Sequence, residues 1–536
     1  MDQIFYNGNI HIMDEARTVV SALEVKDARV AAIGSDEEIL ALKGEETQIT
    51  DLKGRTAIPG LTDTHLHLVI YGRSLSEVDL MGARSVKEVI RRGQEFLKNN
   101  TLAEGQWLIG GGWNEQLFED EKRVITRDDL DQISTEIPIS FARACHHMEV
   151  CNSKALEIAG LVPGQQVEAG EIETVDGRLT GVLKELATRI IRPYYNNLTK
   201  DALKKHIEAG VNQLAAYGIT TAHADDFINA DPYDVVAAYN ELKEEGKLKV
   251  RIYQQCRFPG PEGLQEFIDR GYAPRSGDDL YRIGSLKLLA DGSLGARTAA
   301  MVEDYSDAPG QKGMFNFSDE MFDAMIQTAQ KNDMPVAIHA IGDYTIGKCI
   351  DAIAKAKKVY PQDHNVRHGI VHCQITSAAQ LKRIAEEEIV AHIQPIFIAS
   401  DSKIVEARTG ERARTSYSWK TLKDLGVPIP FGTDSPIETP NPYENIYCAV
   451  TRCDLDGRPK GGWRPEEKLT VDEAIEAATV TAAYSAYQEK DKGTLEEGKL
   501  ADMVVLSDDI FSIPEEKIKD LSAELTVRGG EIVYSK

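Results

Sequence analysis

The sequence predicts an α/β fold, a (β/α)8 TIM-like barrel, with a small β-sandwich domain built from both termini and an insertion after strand 1 of the barrel. Three observations lead to this prediction: strand-like runs that end in polar residues, helical stretches between them at a spacing of about 30 residues, and β-rich segments at both ends. With 536 residues, of which 42% are hydrophobic, the chain is long enough to bury a large core.

Both ends of the chain carry short apolar runs that are separated by turns. Near the start, Gln3–Tyr6 precedes an Asn-Gly turn, and near the end residues 501–506 and 531–534 have the same character. Runs of this length that are bounded by turn residues are typical of β-strands. We therefore expect residues 1–59 and 481–536 to build one β-sandwich domain.

Eight strand-like runs are predicted in the barrel region, residues 60–480. Stretches with helical periodicity separate them, as at residues 320–331 and 377–388, and this alternation indicates βα units and a parallel sheet. The candidate strands finish near His67, His223, Gln255, Lys287, His339, His372, Gln394 and Asp434. Because active sites of such barrels lie at the carboxyl ends of the strands, these residues are the first candidates for a functional site.

The interval between the first two candidate strand ends is far longer than one βα unit needs. His67 and His223 are 156 residues apart, whereas one βαβ repeat takes roughly 30 residues. We therefore expect an insertion at about residues 75–190, and we expect it to cover the active site.

Charge and cysteine content exclude several classes of protein. The chain has 61 basic and 86 acidic residues, and its net charge of -25 disfavours binding to nucleic acid or to anionic membrane surfaces. We find neither an apolar run of about 18 residues nor the basic-then-apolar order of a signal peptide, so we expect a soluble cytoplasmic protein. The seven cysteines contain no Cys-x-x-Cys pair, so we expect buried free thiols.

Histidines at strand ends point to a metal site. In His65-Leu66-His67, residues two apart on a strand face the same side, so both imidazoles can reach one point. Imidazole is a favoured ligand of zinc and related metals. The pair alone could equally be incidental, but His339 and His372 end two later strands, and four such histidines are hard to explain as core residues. The sequence therefore predicts a divalent metal site, with zinc as the favoured ion.

Asp434 and Lys287 add two further candidate ligands. Asp434 follows an apolar run, and a carboxylate there can ligate a metal and accept a proton from bound water; the alternative is a residue that caps the next turn. Lys287 lies among leucines, where an unpaired buried ammonium is costly, unless the side chain reaches out to solvent. As a carbamate, Lys287 would become a bidentate carboxylate able to bridge two metal ions.

Together these residues resemble the amidohydrolase superfamily. Its motif order is His-x-His on strand 1, lysine on strand 4, histidines on strands 5 and 6, and aspartate on strand 8. The closer resemblance is to the YtcJ-like branch, which includes N-substituted formamide deformylase. The matching motifs lie, in order, at residues 59–67, 181–185, 291–299, 338–343, 394–395, 432–436 and 498–502.

The resemblance implies a metal-dependent hydrolase that cleaves an amide, formamide or N-acyl carbon–nitrogen bond in a small molecule, by metal-activated water with Asp434 as the general base. The implied ligands of one or two metal ions are His65, His67, Lys287, His339, His372 and Asp434. Candidate substrate contacts are Trp113, His147, Asp291 and Arg297, although Trp113 could be core packing and Arg297 could brace a loop.

Other functions remain open on the same scaffold. A cyclic-amide hydrolase or a deaminase would need no different ligand set. A non-catalytic regulatory relative is a further alternative, but a decayed site would be expected to lose a ligand, and none is missing here. A homodimer is compatible with the sequence.

Two positions depart from the family pattern. Cys145 and His146 precede His147, where relatives usually carry Asp-Gly before the histidine. On strand 6, Val371 precedes His372, where relatives tend to have a glutamate. The first departure leaves the identity of the substrate open, and the second indicates that a residue that supports His372 differs from that of relatives.

Overall fold

The computed structural model describes residues 2–102, 105–144, 147–168, 170–195, 198–228 and 230–536. Cys145 and His146, which mark the first departure from the family pattern, lie outside the described residues. The chain divides into two compact units. The first comprises Met1–Val69 and Ile207–Lys536, and the second comprises Ile70–His206.

A parallel sheet of seven strands forms a nearly closed barrel in the first unit, and each strand pairs with the next along the chain. The strands are β1 (Leu61–Leu66), β2 (Ile219–Ala224), β3 (Arg251–Cys256), β4 (Tyr281–Leu289), β5 (Val336–Ala340), β6 (Gly369–His372) and β7 (Val390–His392). Each of the first seven predicted strand ends lies within two residues of an observed one. The TIM-like barrel predicted from the sequence is therefore confirmed.

The eighth predicted strand is an extended segment, residues 428–434, and not a regular strand. The carbonyls of Pro428 and Pro430 accept hydrogen bonds from the backbone of Ala391 and Ile393, at 3.0 and 3.1 Å, and the same segment is hydrogen-bonded to β1 on its other side. Since proline has no N–H to donate, a complete ladder cannot form here. The segment occupies the place of the predicted eighth strand, with a single parallel bridge between Ile393 and Phe431 instead of a full ladder.

Helices follow the strands as the periodicity predicts. The helices predicted at residues 320–331 and 377–388 are observed at Asp319–Lys331 and Ala378–Glu386, and each begins after a serine whose hydroxyl accepts a backbone N–H of the first turn. Further helices lie at Asp36–Leu40, Leu68–Ser74, Lys200–Ala216, Pro232–Glu244, Pro261–Asp269, Asp343–Val359, Ile398–Asp401, Val405–Thr409, Trp419–Asp424, Pro442–Thr451, Val471–Ala478 and Val480–Ser485.

Strands from both ends of the chain form a β-sandwich in the first unit. One sheet has four strands, at Gln3–Tyr6, Ala22–Lys26, Arg29–Gly34 and Gln48–Asp51. The other has six, at Asn9–His11, Val19–Val20, Thr56–Pro59, Met503–Leu506, Ala523–Arg528 and Glu531–Ser535. Phe5 and Leu23 from the first sheet share one buried core with Ala57 and Val505 from the second. The predicted sandwich is therefore present.

The second unit contains a sheet of its own. Its six strands are Val78–Asp79, Leu108–Trp113, Ile139–Arg143, Met148–Cys151, Gly170–Val175 and Arg178–Glu185, and its helices are Val86–Asn99, Arg127–Leu130 and Ser153–Ile158. Buried side chains such as Phe118 and Phe141 give this sheet its own hydrophobic core. That an insertion in this region covers the active site stays a prediction.

Six of the seven cysteines lie in the described residues, and all six are buried free thiols. The seventh, Cys145, lies outside them. Within the described ranges, no helix combines the length and the apolar character that crossing a bilayer requires.

Candidate metal centre

Two histidines at the end of β1 converge on a carboxylate from the segment that closes the barrel. His65 Nε2 and His67 Nε2 each lie 3.2 Å from Asp434 Oδ1. The backbone N–H of Asp434 donates to the carbonyl of His65 at 2.8 Å, which fixes the two stretches of chain side by side. Asp434 adopts a φ of 60°, in the left-handed region that aspartate and asparagine enter more readily than most residues.

His372 brings a third imidazole to the same point. Its Nε2 is buried, has no hydrogen-bond partner among the described residues, and lies 4.0 Å from Asp434 Oδ2. Ligand atoms of His65, His372 and Asp434 all lie within 4.8 Å of one another. Because buried polar atoms are nearly always satisfied, an unpartnered imidazole nitrogen beside a carboxylate indicates a place for a ligand.

Two glutamines fix the orientation of these rings. Gln255 Oε1 lies 2.8 Å from Nδ1 of His65, and Gln394 Oε1 lies 2.8 Å from Nδ1 of His372. Each glutamine amide also donates to a backbone carbonyl, at 3.2 and 3.0 Å, so its oxygen must face the ring. An amide oxygen only accepts, so each Nδ1 carries the proton and each Nε2 presents a lone pair.

The same two imidazoles are kept neutral by their surroundings. Burial, together with the charge of Lys287, lowers the pKa of His65 to about 4. Burial and the neighbouring His339 hold the pKa of His372 well below its ordinary value. Neutral imidazole is the form that binds a metal, so both rings are ready to act as ligands at neutral pH.

His67 is oriented by Asp225, which follows β2. Nδ1 of His67 lies 3.3 Å from the carbonyl oxygen of Asp225 and 3.6 Å from its carboxylate. Asp225 is completely buried and pairs with Arg257. Although burial favours the neutral acid, His67 and Arg257 hold the pKa of Asp225 below its ordinary value. His67 therefore also turns its Nε2 towards the centre.

Asp63 ties β1 to the closing segment. One carboxylate oxygen accepts from the backbone N–H groups of His65 and Thr433, both at 3.1 Å, and the other accepts from the Thr433 hydroxyl. Burial raises the pKa of Asp63 to about 7, although these hydrogen bonds favour the ionised form. Because Thr433 precedes Asp434, Asp63 sets the separation of two candidate ligands.

Lys287 lies on β4 with its side chain inside the barrel and is only 1% exposed, so it does not reach out to solvent. Burial lowers its pKa to about 8; the carboxylates of Asp225 and Asp434 favour the charged form, and Arg257 opposes it. A pKa in this range leaves part of the population as the neutral amine, the form that reacts with carbon dioxide.

His339 ends β5, and its ring centroid lies 4.4 Å from that of His372. Its Nε2 faces the carbonyl oxygen of Gly292 at 3.1 Å and Asp291 Oδ1 at 3.3 Å, which leaves Nδ1 as the nitrogen available to a metal. The carboxylate of Asp291 is completely buried and accepts three backbone N–H groups at 2.9 to 3.1 Å. This placement favours a role for Asp291 in positioning His339 over direct contact with a substrate.

The other three candidate substrate contacts are placed as follows. Trp113 in the second unit is completely buried, and its indole N–H donates to the carbonyl of Phe141 at 3.2 Å. Arg297 in the first unit pairs with Asp307 at 2.9 Å. His147 in the second unit is exposed, and its Nδ1 lies 3.0 Å from a carboxylate oxygen of Glu185. For Trp113 and Arg297 the structure favours the core-packing and loop-bracing alternatives.

Four residues of the centre received no role from the sequence. Gln255 and Gln394 were predicted at strand ends, so their positions were expected but their contacts with histidines were not. Asp63 precedes His65 by two residues and therefore lies on the same face of β1. This spacing could have predicted that Asp63 lies beside the candidate ligands. For Asp225 the sequence offers no comparable pattern, because its role depends on a contact across 158 residues.

The fold and these residues define a class, the TIM-like barrels with a histidine- and aspartate-lined candidate metal centre at the carboxyl ends of the strands. The amidohydrolase family model matches residues 48–534. The chain therefore belongs to the amidohydrolase family, a metal-dependent family of hydrolases, and the resemblance drawn from its motifs is confirmed.

Full-length relatives support this membership. The chain is 31% identical to "Putative amidohydrolase YtcJ" of Bacillus subtilis (strain 168), across 100% of both chains. It is 25% identical to N-substituted formamide deformylase of Arthrobacter pascens, across 100% of this chain and 98% of that protein. The crystal structure of an uncharacterized metal-dependent hydrolase from Pyrococcus horikoshii OT3 has a TM-score of 0.79 and 28% identity, and the alignment covers 96% of this chain and 99% of that one.

Proposed function

We propose that this chain is a metal-dependent hydrolase that cleaves an amide, formamide or N-acyl carbon–nitrogen bond in a small molecule. The observation that carries the proposal is the convergence of three imidazole Nε2 atoms, from His65, His67 and His372, on the carboxylate of Asp434. A relative similar over its whole length is named as a formamide deformylase, which favours this bond type over cyclic-amide hydrolysis and deamination on the same ligand set.

The donor atoms fit a divalent ion, and zinc in particular. In a tetrahedral zinc site, bonds of about 2.0 to 2.2 Å place neighbouring ligand atoms roughly 3.3 to 3.6 Å apart. The distances from Asp434 Oδ1 to His65 Nε2 and to His67 Nε2 are both 3.2 Å. His372 would add its unpartnered Nε2, and His339 Nδ1 and Lys287, as its carbamate, would complete a set for one or two ions. A bound ion of this kind polarises a carbonyl oxygen and lowers the pKa of water towards ~7.

Asp434 is placed to move the proton that hydrolysis requires. Although burial favours its neutral form, His65 and His67 hold the pKa of Asp434 well below its ordinary value, so the carboxylate is ionised at neutral pH. It can therefore accept a proton from the attacking water and then donate that proton to the leaving nitrogen. The second transfer matters because an amide nitrogen leaves readily only when it is protonated.

Metal analysis and a substrate panel test the proposal directly. We expect the purified protein to contain a divalent metal, measured by elemental analysis, and to release amine from at least one member of a panel of N-formyl and N-acyl amines. A chelator should remove the activity, and added zinc should restore it. A protein that binds no metal and stays inactive on the whole panel after zinc is added would contradict the proposed function.

Replacing Lys287 by alanine tests its role as a ligand. We expect Lys287→Ala to lose metal and activity, and short carboxylic acids such as acetate or propionate to restore part of both, since they can take the place of the carbamate. The exposed Lys517→Ala is the matched control and should keep its metal. Unchanged metal content in Lys287→Ala would show that this side chain is no ligand.

A further inference from the structure

Three hydrogen-bond acceptors lie together at the carboxyl ends of the last strands of the barrel. Gln374 comes two residues after His372, at the end of β6. Asp401 ends the short helix Ile398–Asp401, which follows β7, and Glu438 comes four residues after Asp434. All three therefore follow segments that supply or position the candidate metal ligands.

Hydrogen bonds from neighbouring side chains hold these groups in place. Gln374 Nε2 donates to Asp401 Oδ2 at 3.4 Å, and the hydroxyl of Tyr417 donates to the same oxygen at 2.7 Å. The hydroxyl of Ser400 donates to Glu438 Oε1 at 3.0 Å. Since Ser400 and Asp401 are adjacent in one short helix, these contacts join the two carboxylates into one cluster.

One acceptor of the cluster has no hydrogen-bond donor, and neither of its carboxylates has a cationic partner among the described residues. Gln374 is only 2% exposed, and its Oε1 has no hydrogen-bond donor among the described residues. Its amide nitrogen already faces Asp401, so the amide cannot turn over to satisfy the oxygen without losing that contact. Within the described part of the chain, neither Asp401 nor Glu438 forms an ion pair with a lysine, arginine or histidine. Burial raises the pKa of Asp401 to about 6 and that of Glu438 to about 7, as expected for acids without a cation.

Phe397 contacts both the candidate metal centre and this cluster. The ring of Phe397 stacks on His372, with centroids 5.7 Å apart and planes 14° from parallel. The Ser400 hydroxyl, whose single proton faces Glu438 at 3.0 Å, also lies 3.3 Å from the carbonyl oxygen of Phe397. Asp401 and Glu438 are both partly exposed, so a ligand can reach them.

We propose that Gln374, Asp401 and Glu438 form a subsite that binds a cationic amine group of the substrate, while Phe397 contacts the carbon chain that leads to the scissile bond. An ammonium group has three donors and no acceptor, which suits two carboxylates and an amide oxygen that has no donor of its own. Hydrogen bonds between an ammonium and carboxylates are charge-assisted and therefore stronger than neutral ones. This inference rests on the proposed function, because it names the class of substrate for the same centre.

Matched substrates test the subsite in the metal-loaded protein. Mono-N-acetyl diamines carry an ammonium at the far end, and N-alkyl acetamides of equal length do not. We expect kcat/KM to be about tenfold or more higher for the charged series, which corresponds to about 1.4 kcal/mol. Glu438→Gln and Asp401→Asn should each remove most of this preference, and Glu438→Lys should shift it towards substrates that end in a carboxylate. The exposed Glu411→Gln should preserve the preference.

A binding measurement separates failure of the subsite from failure of the proposed function. In calorimetry on the metal-loaded protein, hexylammonium should bind more tightly than 1-hexanol, and Glu438→Gln should abolish the difference. If hexylammonium binds in this way but no amide is hydrolysed, the subsite stands and the proposed bond type fails. Equal kcat/KM for both substrate series, with no change in the variants, would overturn the subsite.

Discussion

Replacing Asp434 by asparagine is expected to lower kcat by about 10³-fold or more, since the variant loses both a proton acceptor and a charged ligand. Asparagine is the right substitution here for a structural reason. Asp434 has a φ of 60°, which asparagine adopts at little cost, whereas alanine would strain the backbone. The loss of activity can therefore be assigned to the carboxylate. Amine release under saturating substrate measures it.

The matched control is Asp351→Asn, on the exposed face of the helix Asp343–Val359. It should retain full activity and unfold at the temperature of the unmodified protein. If Asp434→Asn keeps its metal and kcat falls by less than about tenfold, Asp434 is not the general base.

The second large effect concerns stability and involves Asp502, within one of the motifs that carry the family resemblance. Its two carboxylate oxygens accept from the guanidinium of Arg251 at 2.7 and 2.8 Å, and both side chains are almost completely buried. Asp502→Ala would leave a buried guanidinium without its counter-charge. We therefore expect the free energy of unfolding to fall by about 3–5 kcal/mol. Urea denaturation at a fixed metal concentration, followed by circular dichroism, measures the loss.

Two further variants show whether the pair itself is responsible. The double variant Arg251→Met with Asp502→Leu removes both charges and should recover much of the stability, because the guanidinium that lacks a counter-charge in Asp502→Ala is also gone. Glu411→Ala breaks an exposed ion pair with Arg414 and should change stability little. A loss in Asp502→Ala no larger than in Glu411→Ala would show that the buried pair contributes no more than an exposed one.

The barrel could be predicted because its signal is repeated along the chain. Seven polar strand ends follow apolar runs, three of their intervals are close to 30 residues, and the structure has strands at all seven. The eighth segment has the same apolar character, but Pro428 and Pro430 remove the N–H groups that a regular strand needs. The apolar pattern predicts the position of this segment, whereas its incomplete hydrogen bonding follows from the two prolines.

The candidate site was predictable only as far as residue type and strand position allow. Alternation along β1 places His65 and His67 on one face, and the structure brings both to Asp434. Sequence could not show that Gln394 orients His372, because that contact joins two different strands. Nor could it distinguish Trp113 in a core from Trp113 in a pocket, since both require a large aromatic side chain.

The proline-rich segment that closes the barrel also carries Asp434, so architecture and ligand supply are linked. If an ion binds as proposed, its binding free energy is shared with the last lateral contact of the barrel, because binding to the folded state alone stabilises that state. The metal concentration would then determine the stability of the closing contact between Asp434 and β1, as well as the activity of the enzyme. The metal-free protein would then lack activity and would also have a less stable barrel.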